Sequence, residues 1–349
     1  MLKVKVVGAG GYGGVGASEI LSRHPEAELV SLVVLADTGK RISDLYPHLE
    51  GICDLVITHP DDDDIDADVV FFATPDRVGM QMASKYIDAG YKIVDYSGDF
   101  RFDTQEAYGE YASRINLDEE HLAPGLLGMS AYGVAELHRE EIASAKIVGN
   151  PGCFAVSALL GAAPVVKAGL IEQDTLVFDA KTGVSGAGKN PHAIFHYPHR
   201  YEEMNAYKVC THQHVMEVER ELGLLSGTNV PVTFNTQVIP LVRGIMTSIY
   251  AKAAAGVSYG DILSAYNDIY KNEPFVTVID EKGAAGNRHV RGTNRCVVWV
   301  NFDRRTNTIV VISHIDNLMK GQAGSAIQNM NILFGIEETA GLKTPGMYP

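Results

Sequence analysis

The stretch that decides the fold is "MLKVKVVGAGGYGG", residues 1 to 14. Residues 2–7 alternate lysine with valine and read as a strand, and a glycine cluster follows at Gly8, Gly10, Gly11, Gly13 and Gly14. Beyond it the pattern is helical through about Arg23. The glycines satisfy GxGxxG (Gly8, Gly10, Gly13) and equally GxxGxxG (Gly8, Gly11, Gly14). Either spacing lets the backbone approach a pyrophosphate seated on the helix N-terminus. The motif is weak alone; between the first strand and first helix of an α/β alternation it signals a dinucleotide site. That alternation continues. "ELVSLVVL" (28–35), "DADVVFFATP" (66–75) and "YKIVDYSGDF" (91–100) read as buried strands, and "DRVGMQMASKYIDAG" (76–90) as a helix ending on glycine. The fold class is α/β, a Rossmann-type parallel sheet covered by helices on both faces. After the second strand Asp37 suits a ribose hydroxyl, whereas Lys40 and Arg41 suit a 2′-phosphate, so this loop leaves NADP and NAD both open.

The second informative stretch is "IVGNPGCFAVSALL", residues 147 to 160. Ile147 and Val148 end a strand, Gly149, Asn150, Pro151 and Gly152 break it, and an apolar helix starts near Cys153. A thiol there faces unpaired helix N–H groups and the positive end of the helix dipole, which favour the nucleophilic thiolate. The same residues also suit a tight turn with a buried cysteine as filler. Beyond them the texture changes. "NVPVTFNTQVIP", "GIMTSIYAKA", "CVVWVNFD" and "TIVVISHI" are longer strands, "DRRTNT" is a hairpin turn, and "NLMKGQAGSAIQNMNILFGI" reads as an amphipathic helix. The expected organisation is a dinucleotide domain over 1–148, with 317–349 packing back onto it. An α+β catalytic and oligomerisation domain with a mostly antiparallel sheet occupies 149–316.

Composition narrows the partners. A chain of 349 residues is long enough for two cores. A net charge of −14 argues against nucleic acid and anionic membranes, and no apolar run approaches the length of a membrane span. The start reads as a strand and not a signal peptide. Cys53, Cys153, Cys210 and Cys296 are scattered, with neither CxxC nor zinc spacing, which suits free thiols in a reducing cytoplasm. The acidic run "DDDDIDAD" (61–68) lacks the turn glycine and terminal glutamate of a calcium loop and reads as a solvated loop. His192 and His196 stand at helical spacing with His199 nearby, but without an acidic partner in frame they do not make a metal site.

A nicotinamide cofactor together with an activated cysteine points to hydride transfer at a thioester-linked carbon. Such a site needs a general acid/base, and "YKVCTHQHVMEVERE" (207–221) offers His212, His214 and Glu217 just before a helix. Two histidines two apart on a strand share a face. His212 ranks first, being farther from the helix start and less needed as a cap, and His214 second.

The chain resembles the N-acetyl-γ-glutamyl-phosphate reductase family, relatives of aspartate-semialdehyde dehydrogenase. The likeness rests on "GGYGG" with "RHPEAELV", "ISDLYPHLEGICDL", "DYSGDFRF", "GNPGC", "TGVSGAGK", "HQHVMEVE", "PLVRGIM", "GTNRC" and "DNLMKGQAGSAIQNMN". It implies an NADPH-dependent acyl-phosphate reductase with Cys153 as nucleophile and the HQH element as base. Arg101, Asn150 and Arg243 would then be substrate contacts. Tyr12 within the glycine loop, Ala73, Thr74, Pro75, Ser185, Gly186 and Asn317 would be cofactor contacts, and the assembly a homodimer or homotetramer. Departures stand at Phe154-Ala155-Val156, where relatives carry Tyr-Pro-Thr, and at Gly10, where Ser or Thr is common. They bear on pocket shape. The same chemistry on a carrier-bound aminoadipyl phosphate is the alternative, and a non-catalytic dinucleotide-binding regulator a remote one.

Overall fold

The computed structural model describes residues 1–347, and the chain divides into two compact units. The first comprises Met1–Pro151 and Gln322–Thr344; the second comprises Gly152–Gly321 together with Pro345, Gly346 and Met347. The division follows Pro151, three residues past the expected boundary. Asn150 stays with the first unit because its N–H donates to Asp95 O (2.7 Å). Leu318–Gly321 stay with the second because Asp316 holds them, and Met347 returns there through a bond from its N–H to Arg291 O (2.9 Å).

In the first unit the chain runs β1 (Leu2–Val7), α1 (Tyr12–Leu21), β2 (Ala27–Val33), α2 (Ile42–Leu45), β3 (Ile57–Thr58), β4 (Val69–Phe72) and α3 (Gly79–Asp88). It continues through β5 (Lys92–Asp95), α4 (Gln105–Arg114), β6 (Ser130–Tyr132), α5 (Ala135–Ser144) and β7 (Ile147–Gly149). All seven strands are parallel, in the order β3-β2-β1-β4-β5-β7-β6. Central β4, Val-Val-Phe-Phe, is buried at every position, as a strand covered on both faces must be. The acidic run after β3 is not simply solvated. The Asp63 carboxylate is buried against Lys5 of β1 and accepts from Ser31 Oγ (2.9 Å), so the run ties the sheet's edge to its centre.

The second unit opens with α6 (Cys153–Lys167), β8 (Val177–Thr182), α7 (Tyr197–Arg200), β9 (Asn205–Tyr207) and α8 (His214–Ser226). Then come β10 (Thr233–Val238), β11 (Ile245–Lys252), α9 (Tyr259–Tyr270), β12 (Val276–Ile279), β13 (Cys296–Asp303) and β14 (Thr308–Ile315). The sheet order is β12-β13-β14-β11-β8-β10-β9, antiparallel except at β12–β13 and β8–β10. Helix α6 lies on β11 and β14 and is buried from Phe154 to Val166. Its interior Pro164 has no N–H for Leu160 O, and Tyr270 Oη donates to that carbonyl instead (2.8 Å). His192 and His196 share no helix: His192 opens a three-residue 3₁₀ turn and His196 precedes the four-residue α7.

The tail returns to the first unit as α10 (Gly324–Leu333). The expected amphipathic helix is instead a π-turn, Met319–Ala323, followed by a helix buried on all sides. Its polar residues face inward because the unit supplies partners. Asn329 Nδ2 donates to Gly133 O (2.9 Å) and Asn150 Oδ1 (3.1 Å). Asn331 Nδ2 donates to Ala340 O (3.0 Å), and Asn331 Oδ1 meets His24 Nε2 (3.1 Å). Asn331→Leu should therefore destabilise the protein by roughly 1–3 kcal/mol for each buried group it strands. Urea denaturation measures this, and a change below about 0.5 kcal/mol, the range of a surface substitution, would contradict the account.

Candidate active site

The glycine loop of the first unit is built to let backbone come close. Gly8 has φ +86°, and a Cβ there would stand 2.3 Å from Ala73 O. A Cβ on Gly14 would stand 2.5 Å from Gly8 O. Gly11 caps α1 without a side chain, no acidic residue occupies the first turn, and Tyr12 begins the helix. The helix N–H groups therefore face an open loop, a fit for a pyrophosphate. Tyr46 Oη donates to Gly10 O (2.8 Å) and fixes the loop from the α2 side. Thr74, between Ala73 and Pro75, holds a buried Oγ1 with no hydrogen-bond partner among the described residues. Asp37 adopts φ +62° and accepts from Lys40 Nζ (2.7 Å), while Arg41 pairs with Asp44.

Arg101 and Asn150 are built into this unit. The Arg101 side chain is buried; Nε donates to Asn150 O (2.9 Å) and Nη2 to Tyr96 O (2.8 Å). Asn150 Nδ2 donates to Gln322 O (3.1 Å). Gly149 allows the approach, since a Cβ there would lie 2.1 Å from Phe100 O. These bonds anchor the turn that leads, three residues on, to Cys153.

In the second unit Gly152 caps α6 and half-buried Cys153 is its first residue. The Gly152 N–H donates to Glu217 Oε2 (2.9 Å), which is almost wholly buried on α8. The His214 ring lies against Gly152: a Cβ there would stand 2.3 Å from His214 Nε2. Glu217 Oε1 is 3.9 Å from that same nitrogen. One turn of α8 thus carries both a ring beside the cysteine turn and the carboxylate that holds the turn.

The two histidines do not lie on a strand. His214 is the first residue of α8, and His212 precedes it in the loop with Nδ1 accepting the His214 N–H (3.2 Å). Gln213 is the N-cap residue, and the His212 ring before it meets the first N–H of α8, contrary to the reason for ranking it first. Burial, then the neighbouring His214 ring and Lys208, push His212 down to about 2. It stays neutral, with its proton on Nε2 while Nδ1 accepts, and is a poor proton acceptor near pH 7. Tyr207, which the sequence reading passed over, flanks this group. Its hydroxyl is 3.5 Å from His212 Nε2, and burial followed by the nearby Cys153 charge pushes the phenol up.

Three further segments of this unit converge. Arg243 pairs with the fully buried Asp316 (Nε to Oδ2, 3.0 Å). Asn317 Oδ1 accepts the Gly244 N–H (2.8 Å), and its Nδ2 donates to Ser185 Oγ (3.0 Å). Gly186 lies beside the same amide. Gly321 of the π-turn lies against Cys153: a Cβ there would stand 2.8 Å from Cys153 Cβ. Asp316 and Gly321 had no signal in the sequence beyond their neighbours in "DNLMKGQAGS". Among the described residues no cluster could hold a metal ion.

Family models agree with both units. The semialdehyde dehydrogenase NAD-binding domain matches residues 3–145, and the semialdehyde dehydrogenase dimerisation domain matches 153–317. N-acetyl-γ-glutamyl-phosphate reductase from Bacillus cereus (strain AH187) is 38% identical over 349 residues, 99% of this chain and 100% of that one. The enzyme of that name from Bacillus mycoides (strain KBAB4) is 39% identical over 350 residues, covering 100% of both chains. The chain belongs to the N-acetyl-γ-glutamyl-phosphate reductase family. Its fold is that of aspartate semialdehyde dehydrogenase II from Vibrio cholerae (TM-score 0.71, 15% identity, 96% of this chain and 98% of that one). It is equally that of the Candida albicans enzyme solved with NADP (TM-score 0.70, 17% identity, 96% and 98%).

Within this family fold the histidines separate by experiment. His214→Asn should lower kcat by roughly 10²–10⁴ with little change in KM, the signature of a lost acid/base, while His212→Asn should be mildly impaired. Equal losses in steady-state kinetics would reject the assignment. His212 also has a stability signature. Its ordinary value is 6.5, so below that pH the unfolded chain takes up a proton that the folded chain refuses. Acidification therefore destabilises the fold, and His212→Gln should remove about 2 kcal/mol of the loss between pH 7.5 and 5. Denaturant titrations at both pH values measure it, and an unchanged difference would show that His212 titrates normally when folded.

Proposed function

We propose that this chain reduces N-acetyl-γ-glutamyl phosphate with NADPH and a proton, giving N-acetylglutamate semialdehyde, inorganic phosphate and NADP. The observation that carries the reading is the cysteine at the start of α6 with His214 against its cap residue, in a chain 38% identical end to end to reductases of that name.

Cys153 is the nucleophile. The peptide N–H groups at the start of α6 favour an anion on its sulfur, and His214 takes the thiol proton at Nε2. The sulfur attacks the acyl carbon, the bond from that carbon to the phosphate oxygen breaks, and phosphate leaves with the bonding pair. A thioester on Cys153 remains. Gly8, Gly11 and the first turn of α1 would hold the pyrophosphate of a nicotinamide dinucleotide, which when bound would supply the hydride that takes a thioester to the aldehyde level. His214 then returns its proton to the Cys153 sulfur as the carbon–sulfur bond breaks and the aldehyde forms. Glu217 keeps the Gly152 turn and the ring in register. Arg243 meets the substrate carboxylate with Nη1, the nitrogen outside its bonds to Asp316. Arg101 supports the phosphate end through the Asn150 turn. Ser185, Gly186 and Asn317 line the nicotinamide side. NADP is the preferred cofactor, with Lys40 turning from Asp37 to the 2′-phosphate.

The assembly follows from the outer face of the second sheet. Lys181, Met246, Ser248, Trp299, Ile312 and His314 line a hollow of about 460 Å³ there, and a second copy of the chain covers it. No described helix is long and apolar enough to cross a membrane, and the reaction is assigned to the cytoplasm, where free thiols persist.

The test is the reverse reaction. N-acetylglutamate semialdehyde plus phosphate should reduce NADP faster than NAD, and faster than an aminoadipate semialdehyde does. Cys153→Ser should abolish turnover while cofactor binding persists, since an alcohol offers no thiolate. Retained activity above a few per cent of wild type would remove the thioester mechanism.

A further inference from the structure

We propose that Asp316 is a positioning residue: one buried carboxylate that sets both the Arg243 guanidinium and the turn lying over Cys153. Its oxygens draw donors from three separate segments. Oδ1 accepts the N–H groups of Leu318 (2.8 Å) and Met319 (3.2 Å) and Nη2 of Arg243 (3.1 Å). Oδ2 accepts the Gly292 N–H (2.7 Å) and faces Arg243 Nε (3.0 Å). The Asp316 main-chain oxygen accepts the Gly321 N–H (2.9 Å). That bond holds Gly321 where only a hydrogen fits above Cys153 Cβ.

A charge this deeply buried is tolerated only when several donors compensate it, and here they do. The arrangement exceeds what charge balance needs. Both Nε and Nη2 are committed to the carboxylate, so the plane of the guanidinium is fixed and Nη1 points in one direction. The Arg243 backbone is pinned as well, its carbonyl accepting from Asn287 Nδ2 (3.0 Å). Gly244, next along, has φ +126°, and a Cβ there would sit 2.0 Å from Asn287 Oδ1. The role of Asp316 follows: it aims the cation at the substrate carboxylate and sets the height of the turn over the nucleophile. This rests on the reading of Arg243 as the substrate's carboxylate contact.

The experiment is steady-state kinetics of semialdehyde oxidation with phosphate and NADP, on wild type, D316N, R243A, R243K and the double variant R243A/D316N. Asparagine keeps the size and one acceptor but loses the charge. D316N should raise KM for the semialdehyde about tenfold, and adding it to R243A should raise KM less than about twofold further, because Asp316 acts on binding through Arg243. R243K keeps the charge without the fork and should also raise KM about tenfold. KM effects that multiply in the double variant would overturn the proposal. So would a wild-type KM in R243K, which decides the matter alone if D316N does not fold. An inactive wild type would reject the function and not this geometry.

Discussion

The Gly152 N–H bonded to the Glu217 carboxylate is the interaction on which the catalytic unit depends. Gly152 is the residue before Cys153, and its N–H would otherwise be a buried donor at a helix start. Glu217 is almost wholly buried, and that N–H is one of the groups that compensate its carboxylate. Each group lowers the other's cost. The consequence is geometric: the bond fixes the start of α6 against the first turn of α8, and that turn also carries His214. A ring projecting from the first residue of α8 then has one place to lie, over Gly152, where the absent side chain leaves room. The Cys153 turn and the His214 ring are brought together by two helix starts and a carboxylate.

Glycine recurs wherever such an approach is closest. At Gly152 it admits an imidazole, at Gly321 it admits the cysteine's own Cβ, at Gly149 a neighbouring carbonyl and at Gly8 another. These positions tolerate no added carbon without moving backbone or a functional side chain. The cost of glycine in the unfolded chain is accepted at these points for the proximity it gives. At Gly10, the departure in the glycine loop, it is the carbonyl that is engaged, by the Tyr46 hydroxyl.

Much of this was legible in the sequence, and the limits have physical causes. Strand periods and the glycine cluster placed β1, α1 and the parallel sheet, because local pattern and burial agree there. The cysteine turn was readable because Asn-Pro-Gly can only break a strand before a helix. The tail was misread. A period of polar and apolar residues predicts a solvent face, but Asn329 and Asn331 turn inward onto carbonyls and His24, distant partners no local pattern reveals. The acidic run is solvated as expected at Asp61, Asp62, Asp64, Asp66 and Asp68, but Asp63 turns inward to Lys5, a partner far away in sequence. Within the HQH element the local bonding was not legible: which histidine ring meets the first N–H of α8 depends on one hydrogen bond to His212 Nδ1, set by where α8 begins.

That single bond has the larger consequence. A histidine that accepts a backbone N–H while buried cannot afterwards bind a proton without losing the cap, so structural duty and base duty exclude one another at His212. The adjacent His214 ring stands 3.9 Å from Glu217 Oε1. The His212 ring packs 4.6 Å from His214 and 5.2 Å from Phe154, on the apolar side of this group. Water is kept from that side, and a thioester on Cys153 would be shielded there from hydrolysis before reduction.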